Sequence, residues 1–224
     1  MTAGMTASPV PGRIYAIADA EALGAAALPA AVAAMAGAGV AWIQVRAKRL
    51  AGIELYRALE ACCRALEESG SDAALWVDDR ADLAALFPVA GVHVGQTDLP
   101  PAAVRRVIGM PGSGLRIGQS THDEAQLAAA DEDADVDVIA VGPVFPTASK
   151  ERPDPVVGLS FVRRARERTA KPLVAIGGID AGNAAEVLAA GADAVVVLGA
   201  VCRGNAGEIG ESCRRLLAAA DGGA

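Results

Sequence analysis

Eight short apolar runs, each followed by a stretch of helical periodicity, constrain the fold of this chain more than any other feature. The runs are RIYAIAD (13–19), WIQVRAK (42–48), LWVDD (75–79), GVHVG (91–95), RIGQS (116–120), VDVIAVGP (136–143), LVAIGG (173–178) and AVVVLGA (194–200). Strands that alternate with helices pair in parallel, because a parallel neighbour is reached only by a crossover. Eight such units closing on themselves predict a (β/α)8 barrel of the TIM type in a single domain. A doubly wound open sheet is the competing arrangement, but no G-x-G-x-x-G turn follows the first run. The barrel is expected over 13–220, after a flexible tail at 1–12 marked by small residues, Pro and Gly.

The helical stretches carry their own signals. Leu55, Leu59, Cys62 and Leu66 recur at helical spacing within 53–68. Pro100 and Pro101 mark a helix start, where the missing N–H costs little. Thr121-x-x-Glu124 reads as a capping box, with His122 in the helix's first turn. With 53% hydrophobic but only 3% aromatic residues, the core is expected to be aliphatic.

Several function classes are excluded early. A formal charge of −7 leaves no basic footprint for nucleic acid or an anionic membrane. Residues 22–45 lack charge over a length that could span a bilayer, but they are mostly Ala and Gly, contain Pro29 and have no basic flank. They read as an Ala-rich helix and then a strand. Cys62, Cys63, Cys202 and Cys213 form no C-x-x-C pair, which suits free thiols in a reducing cytoplasm.

In a barrel of this kind the active site lies at the C-terminal ends of the strands, and polar residues gather there. Asp19 ends the first run, and Gln44, Arg46 and Lys48 alternate onto one face of the second. Asp78 and Asp79 end the third, Gln96 and Asp98 follow the fourth, and Ser120, Thr121 and His122 follow the fifth. Thr147, Ser149 and Lys150 lie beyond the sixth, and Gly177 and Gly178 end the seventh. Two of the three lysines, Lys48 and Lys150, fall in these clusters. Asp78, Asp79 and Asp98, without Cys or His beside them, favour a hard cation such as Mg2+. Arg46, Lys48 and Lys150 suit the oxygens of a diphosphate, with Ser120 as a hydroxyl donor. Without such an anion, these cations would be poorly compensated. AIGGI (175–179) and VVLGA (196–200) suggest a second anion site made from backbone N–H groups.

Plainer roles compete at several positions. Asp79 could cap a helix or pair with Arg80, Asp98 could cap the helix near Pro100, and Ser120 and Thr121 could cap theirs. His93 reads as a hydrogen-bonding residue of the barrel interior, and His122 as structural. No Ser-His-Asp or Cys-His arrangement supports covalent catalysis.

Six stretches in order, QVRAK (44–48), VDDRADLA (77–84), GVHVGQTDLP (91–100), IGQSTHD (117–123), GPVFPTASK (142–150) and AIGGI (175–179), resemble the thiamine-phosphate synthase family. The resemblance implies a transferase that couples hydroxymethylpyrimidine diphosphate to hydroxyethylthiazole phosphate, giving thiamine phosphate and diphosphate by a dissociative route. It implies that Gln44 to Lys48 cradle the pyrimidine diphosphate, that Ser120 and Lys150 contact its phosphates, and that Asp79 and Asp98 hold Mg2+. Thr147 to Ser149 would border the thiazole, and Gly178, Leu198 and Gly199 would offer N–H groups to its phosphate. Asp78 stands where the family usually has Asn, Gly199 where it has Ser, Ser149 where it has Thr, and Ala18 where it has Thr. An ionised Asp78 cannot donate to a phosphate as an amide does, so metal binding is its expected alternative. Two other readings remain: a related thiazole tautomerase with His122 as acid/base, and a silent binder of phosphorylated precursors. Small molecules are the implied partners, and the sequence specifies no oligomeric state.

Overall fold

The computed structural model describes residues 12–109, 114–147 and 154–222. The expected tail therefore lies almost wholly outside the described residues, as do Ser149 and Lys150. Eight parallel strands close into a barrel in chain order: β1 (Ile14–Asp19), β2 (Trp42–Arg46), β3 (Ala74–Asp78), β4 (Gly91–Val94), β5 (Arg116–Thr121), β6 (Val138–Val141), β7 (Leu173–Ile176) and β8 (Ala194–Val197). β8 returns to β1 with Ile14 beside Val195 and Ala16 beside Val197. The helices are α1 (Ala20–Leu23), α2 (Leu28–Gly37), α3 (Gly52–Ser69), α4 (Ala81–Ala84), α5 (Pro101–Ile108), α6 (Glu124–Glu132), α7 (Gly158–Arg168), α8 (Ala184–Ala189) and α9 (Ala206–Asp221). The uncharged stretch is thus a helix and a strand, and no described helix is long and apolar enough to cross a membrane.

Local signals explain most boundaries. α3 buries Leu55, Leu59, Cys62 and Leu66 on one stripe, Glu54 accepts from the Ala51 N–H at 3.1 Å, and Gly70 ends the helix at φ 64°. At α6 the expected capping box is replaced by another cap. Thr121 is the last residue of β5, where its buried hydroxyl donates to Ala140 O at 3.1 Å. Asp123 caps α6 instead, accepting from the Gln126 N–H at 2.8 Å, and His122 precedes the helix. The shift has a simple cause: a residue committed to a ladder cannot also take the N-cap geometry.

The core has two parts. Aliphatic side chains fill the layer between barrel and helices. The barrel interior differs from the aliphatic expectation, because Tyr15, Trp42 and Trp76 pack together near the N-terminal end. Tyr15 meets Trp42 edge-on at 5.6 Å, Trp42 and Trp76 are 4.6 Å apart, and the Arg116 guanidinium lies 4.8 Å from the Trp42 ring. Few aromatics suffice because they are concentrated in one place. Glycines make the room: a Cβ on Gly91 would sit 2.3 Å from Arg116 O and 2.7 Å from the Trp76 ring.

Gly91→Ala is therefore expected to lower stability by about 2–3 kcal/mol, since its clash is with backbone. Gly37→Ala, at an exposed helical position with open space around it, should be neutral or raise stability by up to about 1 kcal/mol. Urea denaturation of the two variants checks both signs.

Candidate active site

Strand register brings the charged residues together. Asp19, the last residue of β1, pairs in register with Arg46, the last of β2. Val45 pairs with Val77, so Arg46 and Asp78 emerge side by side from β2 and β3. Arg46 Nη1 donates to Asp19 and lies 3.3 Å from Glu21, while its Nε is 3.7 Å from Asp78. β2 ends at Arg46, so Lys48 stands in the following turn and not on the strand face expected for it. Its ammonium pairs with Asp79 and lies 3.1 Å from Asp78. The expectation of poorly compensated cations is thus overturned. Carboxylates from β1, α1 and the end of β3 neutralise both side chains and hold them in place.

Burial sets the protonation of this cluster. It is the main force raising Asp78 to about 6, with the charge of Asp79 adding to it and Lys48 and Arg46 opposing it. Asp79 is also raised, first by burial and then by the neighbouring Asp98 carboxylate. Burial alone would lower Lys48 and Arg46, but their carboxylate partners outweigh it and leave both above their ordinary values. Asp79 adopts a left-handed φ of 59°, and its N–H donates to His93 O at 2.8 Å. That backbone is costly for most residues and tolerated by Asp. The plainer roles for these acids fail: Arg80 pairs with Asp82, and α5 begins at Pro101 with no side-chain cap. Asp98 instead accepts from the Gly95 N–H at 2.8 Å. Among the described residues no cluster of three or more His, Cys, Asp or Glu is arranged to hold a metal. Asp78 and Asp79 are both engaged with Lys48, and Asp79 also lies close enough to Asp98 for the two carboxylates to interact.

The opposite side of the mouth is a cavity of about 1140 Å3. Arg46, Ser120, Thr147, Gly178, Leu198 and Gly199 all line it, so residues from five strand ends meet on one space. Lys48, Asp78, Asp79 and Asp98 are not on its wall, and Asp78 is joined to it through Arg46. Gln44 lies deeper, buried, with its amide donating to Tyr15 Oη at 2.9 Å. His93 plays the interior role expected of it, with Nε2 2.9 Å from Ser120 Oγ. Gly118 clears the space, since a Cβ there would meet His93 Nδ1 at 2.4 Å. His122 also reaches the wall: its Nδ1 lies 2.6 Å from Gly142 O and its Nε2 3.4 Å from Asp154. Gly178 has φ 65°, and a Cβ would lie 2.6 Å from Pro146 O, so only glycine fits there.

The sequence matches the family described as thiamine monophosphate synthase over residues 14–201. The chain belongs to this family. Among its relatives, the thiamine-phosphate synthase of Koribacter versatilis (strain Ellin345) is 43% identical over 190 residues, covering 83% of this chain and 87% of that protein. The thiamine-phosphate synthase of Methanoculleus marisnigri (strain ATCC 35101 / DSM 1498 / JR1) is 41% identical over 193 residues, covering 85% and 87%. The thiamine phosphate pyrophosphorylase of Pyrococcus furiosus has a similar solved structure, with a TM-score of 0.79 and 28% identity, covering 94% of this chain and 96% of that one. Within this thiamine monophosphate synthase fold, sequence reasoning missed Glu21 as a partner of Arg46 and Arg203 as a cavity residue. Their only signal was position, in the residues that follow the first and last strands.

Asp78 gives this site a pH signature. Its folded value, about 6, lies above the ordinary carboxylate value of 3.8. Its contribution to stability is therefore present at low pH and lost as pH rises through 6. Relative to Asp78→Asn, the natural protein should lose about 2 kcal/mol of stability between pH 4 and pH 8. Urea titrations across that range read the difference directly.

Proposed function

We propose that the chain is a Mg2+-dependent thiamine-phosphate synthase, joining hydroxymethylpyrimidine diphosphate to hydroxyethylthiazole phosphate with loss of diphosphate. The observation that carries this reading is the pairing of one preorganised cation cluster with one glycine-walled cavity across Arg46. A reaction of two anionic substrates needs both, and the leaving group is itself an anion. Family membership gives the reading its chemistry.

The residues fit a magnesium ion. Among the described residues Asp79 Oδ1 is buried without a hydrogen-bond partner, and the Asp98 carboxylate is close enough to raise its neighbour's pKa. Two carboxylates are what Mg2+ takes when phosphate oxygens and water complete its shell. Once bound, the ion would neutralise charge on the departing diphosphate. Arg46 and Lys48 do the same from the protein side, already oriented by Asp19, Glu21, Asp78 and Asp79. Ser120, its hydroxyl held by His93, would donate to the diphosphate, and Lys150 would add a further cation. Gln44 would orient the pyrimidine from below. Thr147 and Ser149 would border the thiazole, while Gly178, Leu198 and Gly199 would offer backbone N–H groups to its phosphate.

The dissociative route, with diphosphate leaving before the thiazole nitrogen attacks, asks for charge neutralisation and alignment and not for a nucleophile. The thiols agree with this. Burial pushes Cys62 and Cys213 up to about 12 and Cys63 and Cys202 up to about 11, so none supplies a thiolate near neutrality. The four cysteines are unpaired, which suits the reducing cytoplasm. A second reading, a thiazole tautomerase, is favoured by one observation alone: the His122–Asp154 pair on the cavity wall.

The test mixes purified protein with Mg2+ and both substrates and follows thiamine phosphate and diphosphate together. Equal, Mg2+-dependent release of both is expected, and none from folded protein would sink the synthase reading. Asp79→Asn should lower kcat by about 100-fold and raise the Mg2+ concentration needed for half-maximal rate. Isomerisation of a thiazole carboxylate phosphate without diphosphate release, lost on His122→Ala and retained on Asp79→Asn, would favour the tautomerase.

A further inference from the structure

The cavity extends past the strand tips into the loop between β8 and α9, where Arg203 joins Gly178 and Gly199 on its wall. The backbone under Arg203 is fixed from both sides. On one side the N–H groups of Val201 and Cys202 both donate to Leu198 O, at 3.0 and 2.9 Å, and Cys202 Sγ donates to Ile17 O at 2.8 Å. On the other, Asn205 caps α9, accepting from Gly207 and Glu208 N–H at 2.9 and 3.2 Å. Arg203 therefore projects from a stem that needs no reordering when a ligand arrives.

Its charge is also available. Among the described residues no carboxylate lies within ion-pairing distance of Arg203, whereas Arg46 on the same cavity is enclosed by Asp19, Glu21 and Asp78. Two acids on the same wall have other tasks: Glu208 accepts from the Asn205 N–H at 2.7 Å, and Asp180 from the Gly182 N–H at 2.8 Å. Glu211 and Arg215 reach the wall farther along α9, and Arg215 Nη2 donates to Ser212 Oγ at 3.2 Å. A phosphomonoester seated at Gly178 and Gly199 would carry close to two negative charges. Backbone N–H groups answer it only with partial charges, and position 199 has no hydroxyl to help. A guanidinium supplies a full charge and a two-pronged donor fork.

We propose that Arg203 is the specificity-determining residue for the phosphate of the second substrate, selecting the phosphorylated thiazole over the free alcohol. The identity of that substrate rests on the synthase reading; the anion site itself does not. The test titrates hydroxyethylthiazole phosphate and, separately, unphosphorylated hydroxyethylthiazole into the natural protein, Arg203→Ala and Arg203→Lys by calorimetry. Urea midpoints confirm that the exposed substitutions leave the fold intact. Arg203→Ala should weaken the phosphate about tenfold, leave the alcohol unchanged, and raise KM for the thiazole phosphate without moving KM for the pyrimidine diphosphate. Arg203→Lys should recover part of the loss. Unchanged affinity for the phosphate, or equal loss for both compounds, would overturn the proposal, as would a natural protein that binds neither. If the natural protein binds the phosphate but forms no thiamine phosphate, the synthase reading falls, and the titrations still decide Arg203.

Discussion

Closure of the parallel ladder between β8 and β1 is the constraint on which the rest of the molecule depends. An open sheet would leave Asp19 at an edge, away from the ends of β7 and β8 that closure brings round to the same mouth. Along β1, β2 and β3, register makes last residues into neighbours, so Asp19, Arg46 and Asp78 converge without any loop having to place them. The closed ring turns the ends of β5 to β8 inward on a common space, and the large cavity follows.

The charge cluster that results is balanced but not relaxed. Arg46 and Lys48 are satisfied by acids, yet Asp78 is buried and remains hard to ionise despite two cations beside it. Burial and the neighbouring Asp79 charge outweigh the cations, whose groups approach Asp78 Oδ2 without a well-formed hydrogen bond. Desolvation is a cost on each ion, and attraction offsets it only with good hydrogen-bond geometry. A site arranged in this way resists the approach of further negative charge at Asp78 while keeping Arg46 and Lys48 aimed. An anionic ligand then has to arrive with its own countercharge, which is the part a divalent cation between Asp79 and Asp98 would play.

Much of this was legible in the sequence, and the reasons differ by residue. The eight strands were readable because buried parallel strands are continuous apolar runs, and the positions of Arg46, Ser120, Thr147, Gly178 and Gly199 followed from the rule that barrel sites lie at strand ends. Lys48 was placed on the strand by period-two reasoning, which has no means of seeing that the ladder stops at Arg46. Thr121 looked like a cap because its hydroxyl and the spacing to Glu124 are right; only the ladder partner on β6 decides otherwise. The compensation of Arg46 by Glu21 joins residues 25 apart in the chain, and no local pattern announces it. Aromatic content was a poor guide to the interior, because composition counts residues without saying where they gather.

The space that Gly118 leaves for the His93 ring ties two positions into a single inherited choice. The ring fills the gap opened by the absent Cβ, and from there it holds the Ser120 hydroxyl that faces the cavity. A lineage that exchanged glycine for a larger residue at 118 would have to shrink residue 93 in the same step or soon after, and the hydroxyl would then lose its tether. The permissible variation at a buried glycine is in this way limited by the ring packed against it, and drift at that interior point is read out first as a change in how the site grips its ligand.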